Sequence, residues 1–130
     1  MSESMMEQER KLRVLIVDDE EDVVDFLKRF LRRFQVQVYT ASGGEAALRL
    51  YEQKKPQWVF LDIQMADKDG IAVLKELRRR DSACRVIMIT GKDDKKTQDH
   101  AKRLGALDYI LKPLDLVELR KTIQRRLFEE

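Results

Sequence analysis

The sequence predicts an α/β fold, a doubly wound parallel sheet of five strands, on three observations. Short apolar runs rich in branched residues recur five times, separated by stretches whose apolar residues fall at helical spacing. The central run, Trp58 to Asp62, contains no Gly or Pro, as suits a strand covered on both faces. Several of the runs end in a carboxylate, a hydroxyl or a lysine, and in an open parallel sheet that C-terminal edge is where ligands bind.

The first strand is Lys11 to Val17, running straight into Asp18-Asp19-Glu20. Val23, Phe26, Leu27, Phe30, Leu31 and Phe34 then mark an amphipathic helix with acids in its first turn and Lys28, Arg29, Arg32 and Arg33 toward its end. Val36 to Thr40 alternates as a strand. Ser42 offers an N-cap and Gly43-Gly44 a turn before a helix holding Ala46, Ala47, Leu48, Leu50 and Tyr51, which Pro56 stops. Trp58 to Asp62 is the central strand. Asp62, at its end, reads either as a site residue or as a cap for the following loop, and this stretch alone does not choose.

A loop from Gln64 to Asp69 closes at Gly70, and a short helix carries Ile71, Val73, Leu74 and Leu77. Arg85 to Thr90 is the fourth strand, with Gly91 adding no bulk beside the crevice. A polar helix spans Asp94 to Leu104, with Ala101 and Leu104 as its apolar anchors. Gly105 ends it, and Ala106 to Leu111 forms the fifth strand, delivering Lys112-Pro113 to the same edge. Asp115 caps a last helix with the stripe Leu116, Leu119, Ile123 and Leu127.

The 130 residues fit one domain, expected to comprise a polar N-terminal extension over residues 1–10 and the folded unit over 11–130. A net charge of +2 with 38% charged residues gives no field strong enough to imply nucleic acid. Arg78-Arg79-Arg80 and Arg125-Arg126 read as solvated helix ends, where cations complement the dipole. Cys84 reads as a small buried thiol, Trp58 as a core aromatic and His100 as an exposed helix residue. No apolar run approaches membrane-spanning length and the leader has no apolar core, so a soluble, cytoplasmic protein with no membrane partner is expected.

Right-handed crossovers bring the strand C-termini to one edge, so Asp18, Asp19, Asp62, Thr90 and Lys112 converge. Three clustered carboxylates raise one another's pKa unless a divalent cation sits among them. Mg²⁺ is the natural candidate, because it takes one or two carboxylates, keeps waters and accepts a phosphate oxygen. A lysine and a hydroxyl opposite would hold the other phosphoryl oxygens. The chemistry suggested is phosphoryl transfer onto Asp62.

The strings V-L-I-V-D-D-E, F-L-D-I-Q-M, D-G, V-I-M-I-T-G and D-Y-I-L-K-P occur in that order, and from about Arg13 to Leu127 the chain resembles the receiver domains of two-component response regulators. The resemblance implies a flavodoxin-like (βα)5 fold with strand order 2-1-3-4-5. It implies that Asp62 is the phosphoacceptor, receiving its phosphoryl group from a sensor histidine kinase or a histidine phosphotransfer protein. Asp19, Asp62 and the backbone carbonyl of Gln64 would bind Mg²⁺, with Asp18 acting through a metal-bound water. Lys112 would pair with the phosphoryl group, and Thr90 and Tyr109 would report it to a downstream protein partner or output domain. A cis Lys112–Pro113 bond is also implied. The added charge would draw the Thr90 hydroxyl and its loop inward, Tyr109 would fill the vacated space, and the surface of the fourth helix, fifth strand and last helix would change.

Departures from the pattern carry expectations too. Ala66 stands where the family usually has Pro, which predicts a less constrained loop. Gln64 and Lys92 occupy positions that tune phosphoryl lifetime, and neither is a carboxylate, so a moderate to long lifetime is expected. An alternative is a Mg²⁺-dependent phosphohydrolase working through an aspartyl phosphate, but Gln64, two residues after Asp62, cannot supply its second acid. Another is a receiver-like binding module that is never phosphorylated, which predicts loss of a key residue; all are present.

Overall fold

The computed structural model describes residues 11–91 and 94–128. Its five strands, β1 (Arg13–Val17), β2 (Gln37–Ala41), β3 (Trp58–Asp62), β4 (Arg85–Thr90) and β5 (Asp108–Leu111), pair in parallel in the order β2-β1-β3-β4-β5. The helices between and after them are α1 (Glu21–Arg32), α2 (Gly44–Lys54), α3 (Gly70–Arg80), α4 (Lys95–Arg103) and α5 (Leu116–Ile123), the last running on as a π-helical turn over Gln124–Phe128.

The strand pleat sorts the apolar side chains into two cores. Leu15, Val17, Val59, Leu61, Val86 and Met88 pack under α2 and α3, with Ala101 of α4 at the margin. Val14, Ile16, Phe60, Ile87 and Ile89 face Leu27, Phe30 and Leu31 of α1 and Leu119 and Ile123 of α5. Burial on both faces accounts for the unbroken apolar runs of β1, β3 and β4. Trp58 and Cys84 are buried as expected, and burial pushes the Cys84 thiol pKa up.

Three local expectations are corrected. Ser42 does not cap α2: Gly43 holds the cap position, and the side chain that accepts from Gly44 N–H (3.0 Å) and Glu45 N–H (3.4 Å) is the carboxylate of Asp67, from the loop after β3. The other end of α2 is treated the same way, for the Arg13 guanidinium on β1 donates to the carbonyls of Lys54 (3.0 Å) and Lys55 (3.1 Å). Leu116 is 52% exposed, because it lies in the first turn of α5, outside the buried stripe of Leu119 and Ile123. The fifth strand starts two residues late, since Ala106 N–H is taken by Ala101 O and Gly105 N–H by Lys102 O. Those two bonds, with Gly105 at φ +104°, form a Schellman stop that residues 105 and 106 must complete before pairing begins.

Asp69, Asp94 and Asp115 each accept from the N–H two residues on and cap α3, α4 and α5. Ala101 is the one buried residue of α4, against three in α1, so α4 is the most lightly held helix. Amides 96–103 are expected to exchange fastest among the helices in hydrogen-exchange mass spectrometry. Protection equal to that of Val24 to Arg32 would contradict this.

Candidate functional site

The C-terminal ends of β1, β3, β4 and β5 bring together the side chains singled out from the sequence. Asp18, Asp19 and Asp62 each offer a carboxylate oxygen within 4.8 Å of the others. Asp18 and Asp62 are buried while Asp19 is exposed, so the cluster has a closed floor and an open side. Lys112 reaches in from the β5 end, its ammonium 3.0 Å from Asp18 Oδ2 and 3.4 Å from Asp62 Oδ2. The Lys112–Pro113 peptide is cis.

Backbone donors hold each acid. Glu20 N–H donates to Asp18 Oδ1 (2.9 Å), Gln64 N–H to Asp62 Oδ1 (3.2 Å) and Ala66 N–H to Asp19 Oδ2 (3.1 Å). The loop after β3 is hydrogen-bonded at Asp19, through Ala66 N–H, and at α2, through Asp67. A proline at 66 has no N–H to give Asp19. Beneath the site, Gly70 N–H donates to Ile63 O at 2.8 Å, and the start of α3 lies hard against the end of β3.

Burial, and then the neighbouring Asp18 charge, raise the Asp62 carboxyl from its ordinary 3.8 to about 6. Burial works against the charge of Lys112, but its contacts with Asp18, Glu20 and Asp62 outweigh that and hold its pKa above the ordinary value. Asp18 Oδ2 is buried and lies 3.0 Å from the Lys112 ammonium. Three carboxylates, Asp18, Glu20 and Asp62, therefore share one ammonium, and with Asp19 beside them the excess of anionic oxygens is a donor set that suits a hard divalent cation.

Thr90 is buried at the end of β4, and its carbonyl accepts from Lys112 N–H at 2.8 Å, which joins the ends of β4 and β5 beside the site. Gly91 faces open space where a side chain would project. Tyr109 is half-buried against the core packed under α2 and α3. Lys92 lies outside the described residues. His100 differs from expectation: it is half-buried and lines a cleft of about 700 Å³ with Asp19, Gln64, Met65 and Thr97, because α4 leans its inner face toward the loop after β3. Sequence reasoning missed Glu20, whose carboxylate sits 3.1 Å from Lys112 Nζ; the signal was a third acid directly after Asp18-Asp19. It also missed Asp67, which stands far from its partners in the chain.

Asp108 carries Arg125 (2.8 Å) and Arg126 (3.0 Å) on one carboxylate oxygen, fastening the end of the last helix to the start of β5. The basic pair read as a helix end is thus also an anchor. Among the described residues no helix is long and apolar enough to cross a membrane.

The comparisons with known proteins agree with this geometry. The chain is 39% identical over 115 residues to the regulatory protein AtoC of Escherichia coli, covering 88% of this chain and 25% of that protein. It is 39% identical over 117 residues to PhoP of Bacillus subtilis, the alkaline phosphatase synthesis transcriptional regulatory protein, covering 88% of this chain and 49% of that one. The chain therefore spans between a quarter and half the length of these relatives. Among solved structures, a chain of the CheX–CheY–BeF3–Mg²⁺ complex from Borrelia burgdorferi superposes with a TM-score of 0.84 at 31% identity, covering 88% of this chain and 87% of that one. The model of the response regulator receiver domain matches residues 14–124, and with the acidic cluster and lysine at the sheet edge it shows that this chain belongs to the response regulator receiver family.

Proposed function

We propose that Asp62 accepts a phosphoryl group from a phosphohistidine of a sensor kinase or phosphotransfer protein, with Mg²⁺ held by Asp18, Asp19, Asp62 and the Gln64 carbonyl. The observation that carries the reading is the convergence of three carboxylates within 4.8 Å, two of them buried, with an ammonium 3.0 Å from Asp18 and 3.4 Å from Asp62. An Asp62 oxygen attacks phosphorus, the P–N bond breaks, and the imidazole leaves with the bonding pair. Bound Mg²⁺ supplies charge neutralisation and a seat for a phosphoryl oxygen. Lys112 pairs with the transferred group in exchange for its present contact with the Asp62 carboxylate. The chain's catalytic scope on this reading is its own phosphorylation and dephosphorylation.

Thr90 and Tyr109 serve as the reporting pair, and the surface of α4, β5 and α5 as the output toward a protein partner or output domain. Light docking of α4 supports this, since an element held by one buried residue shifts at modest cost. Gln64 and Lys92 tune phosphoryl lifetime. Residues 11–130 act as the receiver unit, in the cytoplasm, and its own surface takes no part in nucleic-acid contact even though relatives bear the names of transcriptional regulators. The likeness to the Borrelia burgdorferi complex, a structure with BeF3 and Mg²⁺, supports the metal assignment.

The test is intact-mass analysis after incubation with a small acyl phosphate. One added phosphoryl group is expected with Mg²⁺, none with chelator and none in Asp62→Asn. Modification that survives that substitution would move the acceptor elsewhere.

A further inference from the structure

The loop between β3 and α3 is fastened at two points, and both bear on Asp19. Asp67 occupies the N-terminus of α2, accepting from Gly44 and Glu45 N–H, while Lys68 pairs with Glu45 at 2.8 Å. A Cβ on Gly43 would fall 2.7 Å from the Asp67 carboxylate, so a side chain there would displace that carboxylate from the end of α2. The N–H bonds from Gly44, and secondarily from Glu45, hold the Asp67 carboxyl below its usual range against a smaller opposing effect of burial. One residue earlier, Ala66 N–H donates to Asp19 Oδ2 at 3.1 Å. Asp19 is the exposed member of the acidic cluster, the one whose side chain the surrounding packing leaves freest to choose other rotamers.

We propose that Asp67 is a positioning residue for the metal site: by clamping the loop to α2 it presents the Ala66 N–H that orients Asp19, and so sets Mg²⁺ affinity without touching the ion. The proposal rests on the reading that Asp18, Asp19 and Asp62 hold Mg²⁺. Groups that orient a metal's ligands typically change affinity 10- to 100-fold when removed. Asp67 acts through the loop, so an effect at the lower end, about tenfold, is expected. The arrangement also gives a use to the residue at 66: a proline would stiffen the loop by itself but could not donate, whereas here an external clamp stiffens it and the N–H is kept.

The experiment is calorimetric titration of the full chain with Mg²⁺, with thermal unfolding run on each variant. Wild type is expected to bind and Asp19→Asn to bind far more weakly. Asp67→Ala is expected to raise the Mg²⁺ Kd about tenfold. Asp67→Asn, which loses the charge but keeps a capping oxygen, is expected to stay within about threefold of wild type. Gly43→Ala, which keeps the charge but pushes the carboxylate aside, is expected to weaken binding as Asp67→Ala does, and it carries the test if Asp67→Ala does not fold. No Mg²⁺ binding by wild type would remove the metal reading and this proposal with it. Mg²⁺ binding by wild type that is unchanged in Asp67→Ala or, where that variant does not fold, in Gly43→Ala would overturn the proposal alone. Weakening by both Asp67 variants but not by Gly43→Ala would reduce the effect to charge and overturn it as well.

Discussion

Gly70→Ala is expected to destabilise the domain by about 2–4 kcal/mol and to cost phosphoryl acceptance in whatever fraction folds. Alanine in a helix is ordinarily better than glycine by about 1 kcal/mol, so propensity alone predicts the opposite sign. Sterics decide, because a Cβ at position 70 would overlap the backbone carbonyl of Asp62 and sit 2.6 Å from Ile63 Cα. Those are main-chain atoms at the end of β3, and they cannot swing aside as the tip of a side chain can. Relief requires either α3 to lift from the sheet or the end of β3 to shift. The first uncovers Ile71, Val73 and Leu74; the second moves Asp62 relative to Asp18 and Lys112. Urea unfolding analysed by linear extrapolation measures the cost, and a value within about 0.5 kcal/mol of wild type would show that the junction has slack.

In metal-free protein, Asp62→Asn is expected to raise stability near pH 7.5 by about 2–3 kcal/mol, with the gain shrinking as pH falls. The folded Asp62 pKa, about 6, lies above the ordinary 3.8, so the folded state binds a proton more readily than the unfolded state. Its penalty is therefore fully present above pH 6 and is relieved as pH falls from about 6 toward 3.8. At about 1.4 kcal/mol per pH unit, that interval corresponds to roughly 3 kcal/mol. Wild type should accordingly gain on Asp62→Asn between pH 7.5 and pH 5 in chelator. Saturating Mg²⁺ should abolish that gain by stabilising the ionised carboxylate. A difference independent of pH in chelator would mean that the carboxylate is not held in the desolvated, like-charged setting described above.

Most of the fold was legible because its three central strands are covered on both faces and its helices on one, so that each leaves its own periodicity. β3 and β4 begin and end where the apolar runs do, and the caps at Asp94 and Asp115 lie beside the residues they serve. The acids at the ends of β1 and β3 and the lysine after β5 were legible as a set, since a parallel sheet brings its C-terminal ends together whatever the loops do. The failures share a cause. Ser42 was the nearest side chain able to cap α2, but the cap came from Asp67, and no local pattern reports a partner more than twenty residues away. Glu20 looked like one more acid in a helix's first turn until the path of β5 placed Lys112 beside it. Leu116 fits a helical stripe by spacing alone, yet its exposure depends on how α5 is rotated against the sheet.

The dependence of α2 on side chains from elsewhere bears on the order in which the chain can assemble. An eleven-residue helix is marginal in water even with good ends, and this one finds both of its end partners, Arg13 and Asp67, in other parts of the chain. Until β1 has paired and the loop after β3 has closed, its first N–H groups and last carbonyls have no protein partner at those ends. The end contacts of residues 44–54 therefore form only together with contacts between distant parts of the chain. Folding of this side of the sheet is tied to the same closure that assembles the acidic cluster. Capping of the first turn of α2 and fastening of the loop beside Asp62 are one event, made by the same Asp67 carboxylate.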